Sequence, residues 1–170
     1  KLREWNTGDP LNPKTHLGAL IDAEHCKKVR KYLDKGALIG GKMKGAFIWP
    51  TIYEVLQNDK KNRDEIFGPI LTVVEVKSNE EAIYLANDSV YGLTASVFSG
   101  NIRNALRTAK EVRAGTITIN CYGEGSLSTP FGGYKQSGFG GRDNGFYAHD
   151  QYTELKTIWI DLNDPNISDQ

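Results

Sequence analysis

Residues Thr94–Ile119 read TASVFSGNIRNALRTAKEVRAGTITI, and this stretch decides the fold class. Thr94–Phe98 is strand-like, and Asn101 stands where a helix N-cap belongs, its side chain able to take an early backbone N–H. Behind it Ile102, Ala105, Leu106 and Ala109 fall at i, i+3, i+4 and i+7, which draws one apolar stripe along a helix. Gly115 ends that helix and Thr116–Ile119 forms a second strand. Two strands joined through a helix are joined by a crossover, right-handed in nearly all proteins, so they are expected to be parallel.

The same order recurs upstream. Leu71–Val76 is a β-branched run, and Ser78 with Glu81 makes a capping box for a helix through Asn87. The chain therefore reads as α/β, a parallel sheet with flanking helices. Nearer the start, residues 1–17 are loop-like. Asp22–Lys35 is expected to be helical, with Cys26, Val29 and Leu33 inward and Gly36 supplying a left-handed end. Ala37–Ile39 and Ala46–Val55 are extended, the second interrupted at Pro50, and Asn58–Asp64 is a polar connection. Past the central unit, Asp143–Gln151 is a helical candidate and Leu155–Ile160 (LKTIWI) a last strand, before a polar tail from Asp161.

Composition narrows the function classes. Lys plus Arg and Asp plus Glu both number 21 in 170 residues, and no basic stripe is present, so nucleic acid is not an expected partner. Apolar runs such as Ala46–Pro50 fall far short of the roughly 20 residues that span a bilayer. Two cysteines and three scattered histidines outline neither a disulfide framework nor a metal site, which fits a reducing, cytoplasmic setting and no metal cofactor. The opening KLREWNTGDP lacks an initiator Met, and Met43 is the single methionine, so the sequence is expected to start inside a longer protein.

Pro130–Gly145, PFGGYKQSGFGGRDNG, is rich enough in glycine to suggest a phosphate cradle, but its spacing excludes one. A Walker-type loop requires Lys and then Ser or Thr after its last glycine. A dinucleotide fingerprint begun at Gly138 and Gly140 would need its third glycine at Asp143. Among reactive groups, Cys121 follows a strand, where nucleophiles of α/β proteins often sit, yet it has no base or cation nearby in sequence and reads better as a packed small residue. Cys26 belongs to a helix core stripe. Glu65 in RDEIFGPI, taken alone, reads as a solvated charge beside the tight turn of Phe67, Gly68 and Pro69. His149 and Asp150 are neighbours on a helix and do not face each other. Phe131, in an irregular loop after a strand end, is either a core anchor or the wall of a binding site.

Taken together, GDPLNPKTHLGALI at Gly8–Ile21, EIFGPILTV at Glu65–Val73, LANDSVYGLTASVFS at Leu85–Ser99, RAGTITIN at Arg113–Asn120, the Pro130–Gly145 run and TELKTIWI resemble the C-terminal part of the NAD(P)-dependent aldehyde dehydrogenase superfamily. KQSGFGGRDN and ELKTIWI look most like the branch acting on γ-glutamylaminobutyraldehyde and related aminoaldehydes. The resemblance implies oxidation of an aldehyde to its acid: a Cys thiolate adds to the aldehyde, a hydride passes to the cofactor, and a Glu-activated water hydrolyses the thioester. None of those reacting groups matches a position here, so no catalytic residue is assigned to this chain and, alone, it is expected to be inactive. NAD or NADP would be bound mainly by an N-terminal domain preceding Lys1.

What the resemblance carries onto this sequence is Glu65 as acceptor of the nicotinamide ribose hydroxyls, Phe67 as the aromatic beside the nicotinamide, Phe131 as a wall of the aldehyde tunnel, and Tyr122, Gly123 and Gly125 in the loop at its mouth. The family's SGxGRE is altered in Ser137–Asp143, with an additional glycine and Asp143 in place of Glu. The implied organisation is a catalytic-domain segment over 1–150, a C-terminal strand over 151–163 serving a homo-oligomer, and a polar tail over 164–170. Partners would be the aldehyde, the rest of the polypeptide and further copies of the enzyme. The rival reading is a non-enzymatic α/β binding or assembly module, or a proteolytic fragment.

Overall fold

The computed structural model describes residues 1–123 and 125–161. Two compact units divide it, Lys1–Leu85 and Ala86–Gln170. Each ladder of the fold closes within one unit.

In the first unit, helix α1 (Ala23–Arg30) starts because the Asp22 carboxylate accepts the His25 backbone N–H at 2.6 Å, and it buries Cys26 and Val29. It stops short of Lys35. The N–H groups of Lys31, Tyr32 and Leu33 turn to carbonyls three residues back. Gly36 stays out of the left-handed region, so the expected glycine end is absent. The reason is local: Asp34 accepts the Gly36 N–H at 2.8 Å, folding residues 34–36 as an Asx turn that leaves no room for a longer helix.

Strands β1 (Met43–Lys44) and β2 (Phe47–Ile48) form an antiparallel hairpin, and β3 (Thr51–Glu54) begins after Pro50. The expected interrupted strand is thus two strands. Proline has no N–H to give a ladder, and the break falls there. Ala37–Ile39 forms no strand; Ile39 contributes an isolated bridge to Ile52. The polar connection contains one turn of helix, α2 (Lys60–Arg63), capped by Asp59 through the Lys61 N–H at 2.7 Å. Beyond it β4 (Ile70–Val73) runs parallel to β3, with Thr51 opposite Ile70 and Glu54 opposite Val73.

Val29, Ile48, Thr51 and Tyr53 are the deepest residues of this unit. Thr51 is tolerated there because its hydroxyl donates to the Trp49 carbonyl at 2.7 Å and accepts the Gly41 N–H at 3.0 Å. Helix α3 (Asn79–Asn87) carries the expected cap: Ser78 Oγ accepts the Glu81 N–H at 3.1 Å, while the Glu81 carboxylate accepts from the Lys77 N–H at 2.7 Å.

In the second unit, β5 (Thr94–Val97), α4 (Ile102–Glu111) and β6 (Thr116–Ile119) form the expected parallel crossover, Thr94 opposite Thr116 and Val97 opposite Ile119. Asn101 caps α4 through the N–H groups of Arg103 and Asn104. The apolar stripe is only partly covered, however. Ala105 and Thr108 are buried, whereas Ile102 and Leu106 are 59% and 49% exposed. Two strands are too narrow a surface to cover a full helix face, so the flanks of the stripe stay open. The segment Leu155–Ile160 pairs with no strand among the described residues, and its apolar side chains are exposed. A strand exists only when another edge supplies its hydrogen-bond partners, and no strand among the described residues does so. The rest of the expected tail, 162–170, lies outside the described residues.

Candidate functional site

The first unit presents the turn Glu65–Pro69 between α2 and β4. Phe67 has a φ of +54°, a left-handed conformation uncommon for an aromatic and one that costs on the order of 1–3 kcal/mol unless its surroundings enforce it. Those surroundings are specific. His25 Nε2 donates to the Phe67 carbonyl at 2.7 Å, and Gly68 lies so close to α1 that a Cβ on it would stand 2.6 Å from Val29 Cγ1. On the other side Pro69 O accepts the Thr51 N–H at 2.8 Å, where β3 begins. Helix and strand thereby hold the turn from both ends. The Phe67 ring is turned outward, 71% exposed.

Glu65 and Phe67 line the same cleft, about 460 Å³, together with His25, Lys28, Lys31 and Lys60. The Glu65 carboxylate is exposed and no side chain bonds to it among the described residues. Its acceptor oxygens are therefore open to hydroxyl donors. Of the three lysines that border the cleft, Lys60 is paired with Asp64 at 3.7 Å. Lys28 forms an i,i+4 pair with Glu24 at 2.9 Å, which raises its pKa above the usual lysine value. Tyr32, also on the cleft, donates its hydroxyl to Asp64 at 2.7 Å, and that hydrogen bond raises the phenol's pKa.

Beside the cleft, Lys61 Nζ meets Asp34 Oδ2 at 2.7 Å and sits 4.9 Å from the centre of the Tyr53 ring. The hydrogen bond from Lys61, then that from Gly36, holds Asp34 below the ordinary carboxylate range, and the bond to Asp34 lifts Lys61 above the ordinary lysine range. A depressed carboxyl contributes stability above its unfolded pKa, near 3.9, and loses it as pH falls through the folded value. A raised ammonium contributes below its unfolded pKa, near 10.4, and loses it as pH rises through the folded value. With Asp34 half exposed, solvent screening limits the pair to about 1 kcal/mol or less. Lys61→Met is expected to lose that amount at pH 7 in urea unfolding, with the difference from wild type shrinking in acid and again in strong base.

The second unit carries Tyr122, Gly123, Gly125 and Phe131. Asn120 ends β6 with φ +56°, and its side-chain amide clasps the Ser99 backbone, accepting its N–H at 2.8 Å and donating to its carbonyl at 3.0 Å. The chain turns away from the ladder at that point. Cys121 is consequently exposed and not the packed residue the sequence suggested; Cys26 is in the core as expected. Tyr122 is 92% exposed. Gly123 and Gly125 both have positive φ, at +149° and +88°. Glu124, between them, lies outside the described residues.

Phe131 is half-buried and pinned. It exchanges two backbone hydrogen bonds with Asp143, both 2.7 Å, closing the glycine-rich run into a loop. The Asp143 carboxylate accepts from Gln151 Nε2 at 2.9 Å, and Gln151 also reaches the Arg142 carbonyl at 2.7 Å. The middle of the loop is anchored by Lys135, whose Nζ donates to the Asn87 and Ser89 carbonyls at 2.8 and 3.0 Å, capping the C-terminal end of α3. The glycines are points of backbone contact: a Cβ on Gly132 would lie 2.6 Å from the Gly141 carbonyl oxygen, and one on Gly138 2.6 Å from that of Gly133. His149 and Asp150 are both exposed on the 3-10 turn Phe146–Gln151. Among the described residues no group of three His, Cys, Asp or Glu side chains could hold a metal, and no helix is long and apolar enough to cross a membrane.

Sequence reading had not singled out His25, Lys28, Lys31 or Lys60. His25 and Phe67 are 42 positions apart, and no local pattern joins them.

The chain belongs to the aldehyde dehydrogenase family, which matches residues 1–158. Aminoacetaldehyde dehydrogenase of Pseudomonas aeruginosa is 54% identical over 169 residues, covering 95% of this chain and 34% of that protein. Among solved structures, an indole-3-acetaldehyde dehydrogenase of P. syringae in complex with NAD+ superposes with a TM-score of 0.87 at 41% identity, over 94% of this chain and 34% of that one. The γ-glutamyl-γ-aminobutyraldehyde dehydrogenase of Burkholderia cenocepacia gives 0.85 at 40% identity, over 91% and 34%. The chain thus spans about a third of the length of the relatives it matches.

Proposed function

We propose that this chain is the C-terminal segment of the catalytic domain of an NAD(P)-dependent aldehyde dehydrogenase acting on aminoaldehydes. The observation that carries the reading is the turn at Glu65–Phe67: an open carboxylate next to an outward-facing aromatic, rigidly held on the wall of a lysine-lined cleft. These residues fit a nicotinamide dinucleotide. A carboxylate suits the paired hydroxyls of a ribose, a ring suits the flat face of the nicotinamide, and ammonium groups suit the diphosphate. When bound, the cofactor accepts the hydride.

In the second unit, Phe131 would form part of the aldehyde tunnel's wall, with Tyr122, Gly123 and Gly125 at its mouth. Glycines at two mouth positions leave space for a substrate extended beyond its aldehyde group. The nucleophilic thiol, the general base and the nucleotide-binding fold would come from the rest of the polypeptide. The exposed apolar side chains of Leu155, Ile158 and Ile160 suit a strand that pairs with a further copy in a cytoplasmic homo-oligomer.

The substrate reading is tested by following NADH formation with the complete enzyme on aminoacetaldehyde, γ-glutamyl-γ-aminobutyraldehyde and propanal. The aminoaldehydes are expected to exceed propanal in kcat/KM by roughly tenfold, the worth of one charged contact. Parity would remove the substrate assignment. The 170-residue chain alone is expected to show no turnover with NAD and propanal; activity abolished by Cys26→Ala or Cys121→Ala would contradict the placement of the nucleophile elsewhere.

A further inference from the structure

We infer that His25 is a positioning residue for the cofactor site, acting through the backbone of Phe67; the inference rests on the dinucleotide reading of that site. An aromatic residue does not hold φ +54° on its own preference, and the side-chain hydrogen bond that reaches this turn's backbone is His25 Nε2 to the Phe67 carbonyl, 2.7 Å. A carbonyl can only accept, so the contact fixes a hydrogen on Nε2. The bond couples α1 to the turn across 42 residues, and it does so beside Val29, the buried helix residue on which Gly68 seats.

The imidazole is also a wall of the cleft that Glu65 and Phe67 line. Removing it takes the His25 bond from the peptide between Phe67 and Gly68, which is then held by the Gly68 and Pro69 contacts alone. The aromatic would then be free to leave its place on the cleft wall, and Glu65, two residues earlier, would lose its fixed relation to it. Helix α1 itself does not depend on the imidazole: its cap uses the His25 main-chain N–H, which any residue supplies, and its buried contacts come from Cys26 and Val29. Loss of the side chain should therefore move ligand binding without unfolding the unit.

The test uses the complete enzyme carrying His25→Leu, His25→Gln and Phe67→Ala, with steady-state KM for NAD+, KM for the aldehyde, kcat and Tm measured on each. His25→Leu is expected to raise KM for NAD+ about three- to tenfold, the reach of one neutral hydrogen bond, with aldehyde KM and Tm little changed. Glutamine extends an amide N–H to a similar distance, and His25→Gln is expected to restore the wild-type KM within about twofold. If His25→Leu leaves KM for NAD+ unchanged while Phe67→Ala raises it, the positioning role is wrong and the site reading stands. If Phe67→Ala also leaves it unchanged, the site reading itself fails. A fall in Tm accompanied by equal losses in every kinetic constant would make His25 a structural residue only and overturn the inference.

Discussion

Gly133→Ala is expected to collapse the loop that holds Phe131. A Cβ at this position would fall far inside van der Waals contact distance of the Ser137 carbonyl oxygen and 2.5 Å from Ser137 Cβ, and a backbone carbonyl cannot be moved aside as a flexible side chain can. Ser137 is itself fixed, since its hydroxyl accepts the Gly92 N–H at 3.1 Å and its N–H donates to Tyr134 at 3.0 Å. The clash therefore propagates to the start of β5. Gly115→Ala would run into the Gly132 carbonyl from the opposite side, against the same strand pair.

Each substitution is expected to cost more than about 4 kcal/mol or to force the loop into another path, the range reserved for overpacked or strained sites. Gly100→Ala is the control: no atom lies within 4 Å of a Cβ there, and it should stay within about 0.5 kcal/mol of wild type. Denaturant unfolding of the three variants separates these outcomes. On the proposed reading of Phe131 the loop is part of the aldehyde wall in the complete enzyme, so replacing Gly132 and Gly133 by Val should reduce aldehyde oxidation far more than NAD affinity. Equal losses would detach the loop from the aldehyde.

Glu65→Gln is the second large effect and of the opposite kind, affinity without stability. The carboxylate is exposed and makes no internal bond among the described residues, so its replacement should leave unfolding within about 0.5 kcal/mol of wild type. Binding is different. Hydrogen bonds to a charged acceptor are worth about 1.5–3 kcal/mol each, roughly twice the neutral case, and a ribose offers two donors. Exchanging the charge for an amide keeps the shape and removes about half of each bond, which corresponds to a 10- to 100-fold weaker dinucleotide complex.

The parts of the fold legible in the sequence are those set by contacts within a few residues. Asn101 at the head of α4, Ser78 with Glu81 at α3, and β6 after Gly115 all follow from short-range capping and β-branching. The α/β class followed from their order. What sequence could not give depends on partners distant in the chain. Helix α1 ends early because Asp34 is taken up by Gly36 and Lys61, and nothing near Lys35 announces that. LKTIWI has strand composition but forms no ladder among the described residues, since composition does not supply an edge. Ile102 and Leu106 fit an apolar stripe, and the fraction of it buried depends on the width of the sheet beneath.

The candidate site divides in the same way. Glu65, Phe67 and Phe131 enter the proposed site through the resemblance of their motifs, and the glycines could be read as close backbone approaches in place of a phosphate cradle. The left-handed backbone of Phe67, and the imidazole that reaches it from α1, belong to packing between segments far apart in the chain. Asp143, which departs from the family's Glu, keeps its main-chain bonds to Phe131 and uses its carboxylate to hold Gln151.

The most direct test of the proposed role of the Glu65–Phe67 turn is an equilibrium titration of NAD+ into the complete enzyme, wild type against Glu65→Gln, with Tm recorded on the same samples. Glu65 as a ribose acceptor predicts a Kd raised about 10- to 100-fold at unchanged Tm. Equal Kd values for the two proteins would contradict it.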